Sequence, residues 1–182
     1  MALTRRIALR PTNLSANPVG GPSTHFDRTL PPPRWLDATA RTHAVAYIAD
    51  MQGAHGLIAW DRRGKIDPWN HVEAAMGLTV GGEHARAARA LRGLADLQLE
   101  SGAWWAEYDE RLRPKARHVE TNFVGYFAVG VWHYRLATGD DALVRSLWPN
   151  VVRALEFVLA HQGPDGHIWW AVDGQNEPYR DA

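Results

Sequence analysis

Carboxylates stand beside tryptophans at several points where a helix is expected to begin. The first group is Asp67-Pro68-Trp69-Asn70-His71-Val72-Glu73, the second His118-Val119-Glu120-Thr121-Asn122, and a third gathers Asp173, Asn176 and Glu177. Loops before and between them add Trp60, Trp104, Trp105 and Tyr108. Aromatic rings stack on the faces of sugar rings, and two carboxyls across a scissile bond can act as acid and base. Glu73 and Glu120, with Asp67 and His71 beside them, are therefore the catalytic candidates. Trp60, Trp69, Asn70, Trp104, Trp105, Tyr108, Asn122 and Asp173 are the substrate-binding candidates. An inverting pair needs carboxyls roughly 6.5–9.5 Å apart, a spacing open to Glu73 and Glu120 on neighbouring helices.

Each residue also has a plainer role. Asp67 before Pro68 reads as a helix N-cap, and Glu120 near a helix start gains from the helix dipole without any catalysis. Glu73 is either a cavity-facing functional carboxylate or a structural partner for an arginine. His71 and His133 fit the role of hydrogen-bonded core histidines. No metal site or cofactor is indicated. The chain has no helical HExxH, no glycine-rich phosphate loop and no cysteine, so thiolate ligands, disulfides and a cysteine nucleophile are excluded.

The elements that must position these groups repeat. A glutamine, a glycine four residues on and a nearby tryptophan recur as Gln52/Gly56/Trp60, Gln98/Gly102/Trp104-Trp105 and Gln162/Gly166/Trp169-Trp170. Each copy follows a stretch of helical periodicity, and the glutamines are expected to bond backbone at a neighbouring helix while the tryptophans pack between hairpins. Five helices are expected, near 35–51, 68–80, 83–99, 119–137 and 141–161, with Pro149 kinking or splitting the last. Residues 100–117 read as a loop. The first helix would start at Trp35 and Leu36. The third and fifth are amphipathic; the fourth is apolar all round, which predicts burial on all sides. Helices one, three and five then form an outer layer, and two and four an inner one. That is an all-α fold, a partial α/α toroid of about five to six helices around a cavity. Residues 1–33, rich in proline and glycine, read as a flexible arm before a toroid domain over 34–182.

Gln98-Leu-Glu-Ser-Gly102-Ala-Trp104 resembles the QW motif of squalene cyclases and related terpenoid cyclase and prenyltransferase toroids. Gly130-Val-Trp132-His133-Tyr134 with Thr138-Gly139-Asp140, followed by Leu147-Trp148-Pro149 and Ala154-Leu-Glu-Phe-Val158, resembles six-hairpin glycosidases such as glucoamylases. Asp67-Pro-Trp69-Asn-His71-Val-Glu73-Ala-Ala-Met76 and Glu120-Thr-Asn122-Phe123 look like bacterial toroid proteins labelled as prenyltransferases. This last resemblance implies a prenyltransferase-like protein acting on an isoprenoid or other apolar substrate in a central cavity. The alternatives are a carbohydrate-active enzyme with paired carboxylates, or a non-catalytic toroid fragment. The chain lacks the DxDD and DDxxD motifs of isoprenoid enzymes and the zinc-binding cysteine of protein prenyltransferases. A six-hairpin toroid uses about twelve helices, so the chain reads as an N-terminal portion truncated at its C-terminus.

Composition narrows the partners. With 46% hydrophobic and 22% charged residues and a formal net charge of zero, the chain offers no electrostatic footprint for nucleic acid. Nine tryptophans suit helix-packing anchors or a ring-lined pocket. The expected partner is a small molecule, isoprenoid or saccharide. No transmembrane segment is expected and the location expected is cytoplasmic. Inner-helix faces left open in a partial toroid predict self-association.

Overall fold

A computed structural model describes residues 37–175, 177 and 178. Trp35, Leu36, Asn176 and the arm expected over 1–33 lie outside the described residues. Five helices carry the fold: α1 (Ala38–Asp50), α2 (Pro68–Val80), α3 (His84–Asp96), α4 (Thr121–Thr138) and α5 (Asp141–Ala160). Short strands accompany them: β1 (Glu107–Tyr108), β2 (Pro114–Ala116), β3 (Val119–Glu120) and β4 (Ala171–Val172).

Local chemistry sets most helix starts. Asp37 accepts the Ala40 amide at 2.6 Å to open α1, and Asp67 accepts the Asn70 amide at 2.8 Å to open α2, with Pro68 at the first helical position. Asp140 accepts from the amides of Ala142 and Leu143, both at 3.0 Å, to open α5. Gly139, at φ +73°, supplies the left-handed residue that ends α4.

Three expectations change. α4 begins at Thr121 rather than near 119, because Val119 and Glu120 are drawn into an antiparallel pair with Val172 and Ala171. The segment expected to be a loop over 100–117 contains the β1–β2 hairpin. Pro149 does not split α5, which runs unbroken through it. Pro149 and Arg145 are both exposed, so the carbonyl that loses its helical partner faces water.

α2 and α4 pack side by side at the centre; α3 lies against α2, α5 against α4, and α1 against α2. The inner pair and outer set match the layered order expected of a toroid. Close approach of the inner pair depends on Gly130, where a Cβ would lie 2.5 Å from Val72 Cγ1. The core runs through Val72, Leu78, Leu91, Leu94, Val124 and Phe127, each at most 1% exposed.

α4 is not buried on all sides. Val124, Phe127, Val131 and Tyr134 face the core, while Val129, Trp132 and Leu136 are 47%, 52% and 66% exposed. Its composition suits a helix covered on both flanks, and among the described residues only one flank is covered. No helix of the described residues is long and apolar enough to cross a membrane.

The repeated loops are built alike. Gln52 bridges to Ile58, and Gln162 to Ile168, as isolated antiparallel pairs. Gly56, Gly102 and Gly166 all take left-handed φ, at +89°, +93° and +92°, which a side chain would strain. Counting from each glutamine, Ile58, Trp104 and Ile168 are equivalent, and so are Trp60, Ala106 and Trp170. The tryptophans of the motif therefore do not share one role. Trp104 packs in the core; Trp60, Trp169 and Trp170 are 55%, 42% and 58% exposed.

Candidate functional site

The entrances of α2 and α4 open side by side, and the loop after α1 leans over them. A cavity of about 310 Å³ is lined by Met51, Ile58, Trp60, Asp67, Asn70 and Glu73, among others. A second, of about 180 Å³, is lined by Trp60, Lys65, Asp67, Asn70, His118 and Glu120 with Glu107 and Phe123. Trp60, Asp67 and Asn70 line both. One cleft mouth therefore brings together five of the sequence candidates: a central Trp–Asp–Asn group, with Glu73 on one flank and Glu120 on the other.

Each side chain is held. Asp67 is 4% exposed, and its carboxylate accepts from the Asn70 side-chain amide at 3.1 and 3.0 Å, which fixes the amide's orientation in the cleft. Glu73 Oε1 accepts from the Tyr126 hydroxyl at 3.3 Å. Tyr126 stacks on Trp69 at 4.8 Å between ring centroids and 13° between planes, and Phe123 meets Trp69 edge-on at 5.8 Å. Partial desolvation, and then the charge and hydrogen bond of Glu73, raise the Tyr126 phenol above its usual range, so it stays a donor. Glu120 Oε1 lies 3.5 Å from His118 Nε2. Lys65 Nζ sits 4.1 Å above the Trp60 ring and 3.4 Å from Glu107, which holds the exposed indole in place from one side. Among the described residues, no cluster of three or more His, Asp and Glu is placed to hold a metal ion.

The remaining candidates lie elsewhere. His71 is 1% exposed; its Nδ1 accepts the Ile58 amide at 3.0 Å, so Nε2 carries the proton and donates to the Ala90 carbonyl at 3.0 Å. It ties the first repeat loop and α3 to α2, away from the cleft. Trp104 is 1% exposed and donates from Nε1 to the Leu94 carbonyl at 2.7 Å. Tyr108 is buried, accepts the Trp105 amide at 2.9 Å on its hydroxyl, and is pushed up to about 12 by desolvation. Asp173 accepts from the amides of Gln175 and Glu177 and orders a turn. Asn122 lines a separate, apolar cavity with Gly125, Val158, Ile168 and Trp170. Phe123 and Lys65 line the cleft and Tyr126 holds Glu73, and sequence reasoning passed over all three as site residues. Tyr126 and Phe123 sit in a helix read as uniformly apolar, and the only available signal was their offset from Glu120.

His71 makes a prediction about pH. Burial lowers its pKa to about 4, from near 6.5 when unfolded. The neutral form is favoured by the fold, so its contribution is whole above pH 6.5 and is lost as pH falls towards 4. Unfolding free energy is expected to drop by about 3 kcal/mol across that window. Denaturant titrations of wild type and His71→Gln between pH 7 and 4.5 check it. A slope unchanged by the substitution would remove His71 as its cause.

No family model matches the chain. Over 124 residues it is 40% identical to the MMP endo-(1,4)-3-O-methyl-alpha-D-mannosidase of Mycolicibacterium hassiacum, a match covering 68% of this chain and 34% of the relative. The chain thus spans about a third of the length of the curated relative it matches. Its fold is similar to a cellobiose 2-epimerase from Bacillus thermoamylovorans B4167, with TM-score 0.58, 12% identity, and 80% of this chain against 42% of that one. A D-mannose isomerase gives 0.59 at 11% identity, covering 76% and 39%. A sugar epimerase from a ruminal bacterium gives 0.56 at 13% identity, covering 74% and 39%.

These likenesses correct the prenyltransferase-like expectation. The four proteins named above are a mannosidase, two sugar epimerases and a sugar isomerase, and none of the four is a prenyltransferase. The prenyltransferase-like reading rests on the resemblance of Asp67–Met76 and Glu120–Phe123 to toroid proteins so labelled, and a shared toroid does not fix the reaction. Helix order, the paired inner helices and these fold neighbours together identify the chain as part of an α/α toroid.

Proposed function

We propose that the chain belongs to a carbohydrate-active enzyme, with its saccharide site at the shared mouth of α2 and α4. The observation that carries this is the Trp60–Asp67–Asn70 group lining two adjoining cavities, with Glu73 and Glu120 on opposite flanks. Trp60 offers an exposed ring face for a sugar, and Asn70, oriented by Asp67, offers the other side-chain contacts for hydroxyls. In hydrolysis, one glutamic acid gives its proton to the glycosidic oxygen as the bond breaks. The other glutamate takes a proton from the water that bonds to the anomeric carbon. The substrate class supported by the 40% identity is an α-(1,4)-linked mannoside. We further propose 34–182 as the toroid domain and, for a chain without cysteine, a cytoplasmic location.

Trp60 supplies the test. Titration with α-(1,4)-mannooligosaccharides is expected to change the intrinsic tryptophan fluorescence of the wild type. Trp60→Ala is expected to weaken binding by tenfold or more, with the unfolding midpoint unchanged, because an indole more than half exposed adds little to the core. If no mannoside binds, or if Trp60→Ala binds as wild type does, the site is misassigned.

A further inference from the structure

The three repeat loops share their internal bonds. Gln52, Gln98 and Gln162 each donate from Nε2 to the carbonyl of the glycine four residues on, at 2.8, 2.8 and 2.9 Å. The residue after each glutamine donates its amide to the carbonyl four residues further, Gly53 to Leu57, Leu99 to Ala103 and Gly163 to His167. In the first two loops the glutamine also clamps the next outer helix, at the Arg86 carbonyl of α3 and the Asn150 carbonyl of α5. Residues at one offset from the glutamine are therefore equivalent in structure as well as in sequence.

The eighth residue after the glutamine is Trp60, Ala106 or Trp170. In the first repeat, Trp60 borders a cavity with Ile48, four residues before Gln52, and Ile58, six after it. In the third, Trp170 borders one with Val158 and Ile168, at the same two offsets from Gln162. Each cavity is walled on its inner side by the start of an inner helix carrying an asparagine, Asn70 of α2 or Asn122 of α4. Their volumes are alike, about 310 and 340 Å³. The apolar wall of the Trp60 cavity is thus built twice.

One run of backbone pairs joins the two. Trp60 donates its amide to the Lys65 carbonyl, Ile66 and Tyr108 exchange amide bonds, and Ala106 donates to the His118 carbonyl. Glu120 then stands opposite Ala171, and the Thr121 amide donates to the Trp170 carbonyl. The order along this ribbon is Trp60, Ala106, Glu120, Trp170. Neighbouring strands lie about 4.8 Å apart, and the several spacings between Trp60 and Trp170 exceed the reach of one pyranose ring. Between them, Ala106 lines the cavity that Trp60 shares with Glu120, and its small side chain leaves room in front of the carboxyl. These relations lie within the described residues and are the same with or without further chain.

The two cavities differ in their polar groups. Beside Trp60, Asp67 orients the Asn70 amide and Glu73 stands close by. Beside Trp170, the Thr121 hydroxyl is occupied by the Trp169 carbonyl, which leaves the Asn122 amide. One indole, two aliphatic side chains and one amide suit the C–H face of a pyranose that is already held elsewhere. We infer that Trp170 is a second stacking platform for the same saccharide. It carries a pyranose several units along the chain from the one on Trp60, with Glu120 between the two. The inference rests on the saccharide reading of the cleft.

Calorimetric titration with the α-(1,4)-linked mannose disaccharide and hexasaccharide tests it. Wild type is expected to bind the hexasaccharide more tightly than the disaccharide. Trp170→Ala is expected to weaken the hexasaccharide about tenfold, the size of one aromatic contact, and to leave the disaccharide unchanged. Trp170→Phe keeps a ring and is expected to stay within about threefold of wild type. A second measurement uses the unaltered protein. The Trp170 indole N–H resonance, assigned by its loss in Trp170→Phe, is expected to shift with the hexasaccharide and not with the disaccharide. Failure of wild type to bind either sugar overturns the cleft reading and this inference with it. A hexasaccharide affinity unchanged in Trp170→Ala, where Trp60→Ala weakens it, overturns this inference alone. So does a Trp170 indole that stays still as the hexasaccharide binds.

Discussion

Replacing either cleft glutamate by glutamine is expected to lower the rate of mannoside hydrolysis by about 10²–10⁴-fold, the usual size of a lost proton-transfer step. Glutamine keeps the length and volume of the side chain and cannot exchange a proton at neutral pH. At Glu73 the test is unusually clean. The Tyr126 hydroxyl donates to Oε1, and an amide oxygen accepts that bond as a carboxylate does. The ring stack of Tyr126 on Trp69 is then undisturbed, and what is lost is the acid–base function alone. Tyr126→Phe serves as the counterpart, since it removes the hydrogen bond and leaves the carboxyl. It is expected to shift the pH profile of the rate without abolishing turnover. The measurement is the initial rate over pH for the three variants, beside their thermal midpoints. Glu73→Gln and Glu120→Gln enzymes that hydrolyse at the wild-type rate would remove both from the mechanism.

For Asp67 we propose a positioning role: it is nearly buried, caps α2 and aims the Asn70 amide into the cleft. The sequence shows Asp67-Pro68 as a cap without difficulty, because capping is a local rule. It does not show that the same side chain also lines a cleft, because that depends on where the loop with Trp60 lies. His71 makes the same point from the other side. Two residues from Glu73 and next to Asn70 in the chain, it turns to the opposite side of the helix and bonds backbone from two other elements.

What was legible follows from whether a rule is local or assembled. Helix positions and the alternation of inner and outer helices come from periodicity, and they agree with the structure. The β3–β4 pair could not be read, since strands of two residues carry no pattern and exist through their partner. The exposed flank of α4 could not be read either. An apolar sequence records what a helix is suited to meet, and Trp132 and Leu136 are exposed because nothing described here covers them. The prenyltransferase-like reading, drawn from the likeness of Asp67–Met76 and Glu120–Phe123 to toroid proteins so labelled, fails because a shared toroid leaves the reaction open. Glutamine clamps and their glycines are likewise fold chemistry, as the Arg86 and Asn150 carbonyls show, and they are compatible with any reaction in the cavity.

Trp104→Ala is expected to cost about 3–5 kcal/mol of folding stability, the usual range for emptying a buried aromatic site. Trp104 takes the place in its repeat that Ile58 takes in the first, two residues before the place of Trp60, and its ring is 1% exposed, tilted against Phe127 at 5.1 Å, and bonded to Leu94. Removing it opens a void between α3 and α4 where neither helix can shift far: α4 is pinned on α2 at Gly130, and the end of α3 on α5 through Gln98. A loss of this size is a large share of the roughly 5–15 kcal/mol that holds a typical domain together. Trp104→Phe retains most of the packing and gives up the indole hydrogen bond, for about 1–2 kcal/mol. Denaturant midpoints with constant slope measure both. The contrast with Trp60 makes the assignment testable as a pair. Trp104→Ala should lower stability and leave mannoside affinity of the remaining folded protein intact, whereas Trp60→Ala should do the reverse. If Trp104→Ala cost less than about 1 kcal/mol, well below the core-truncation range, the central wedge of the fold would have to lie elsewhere.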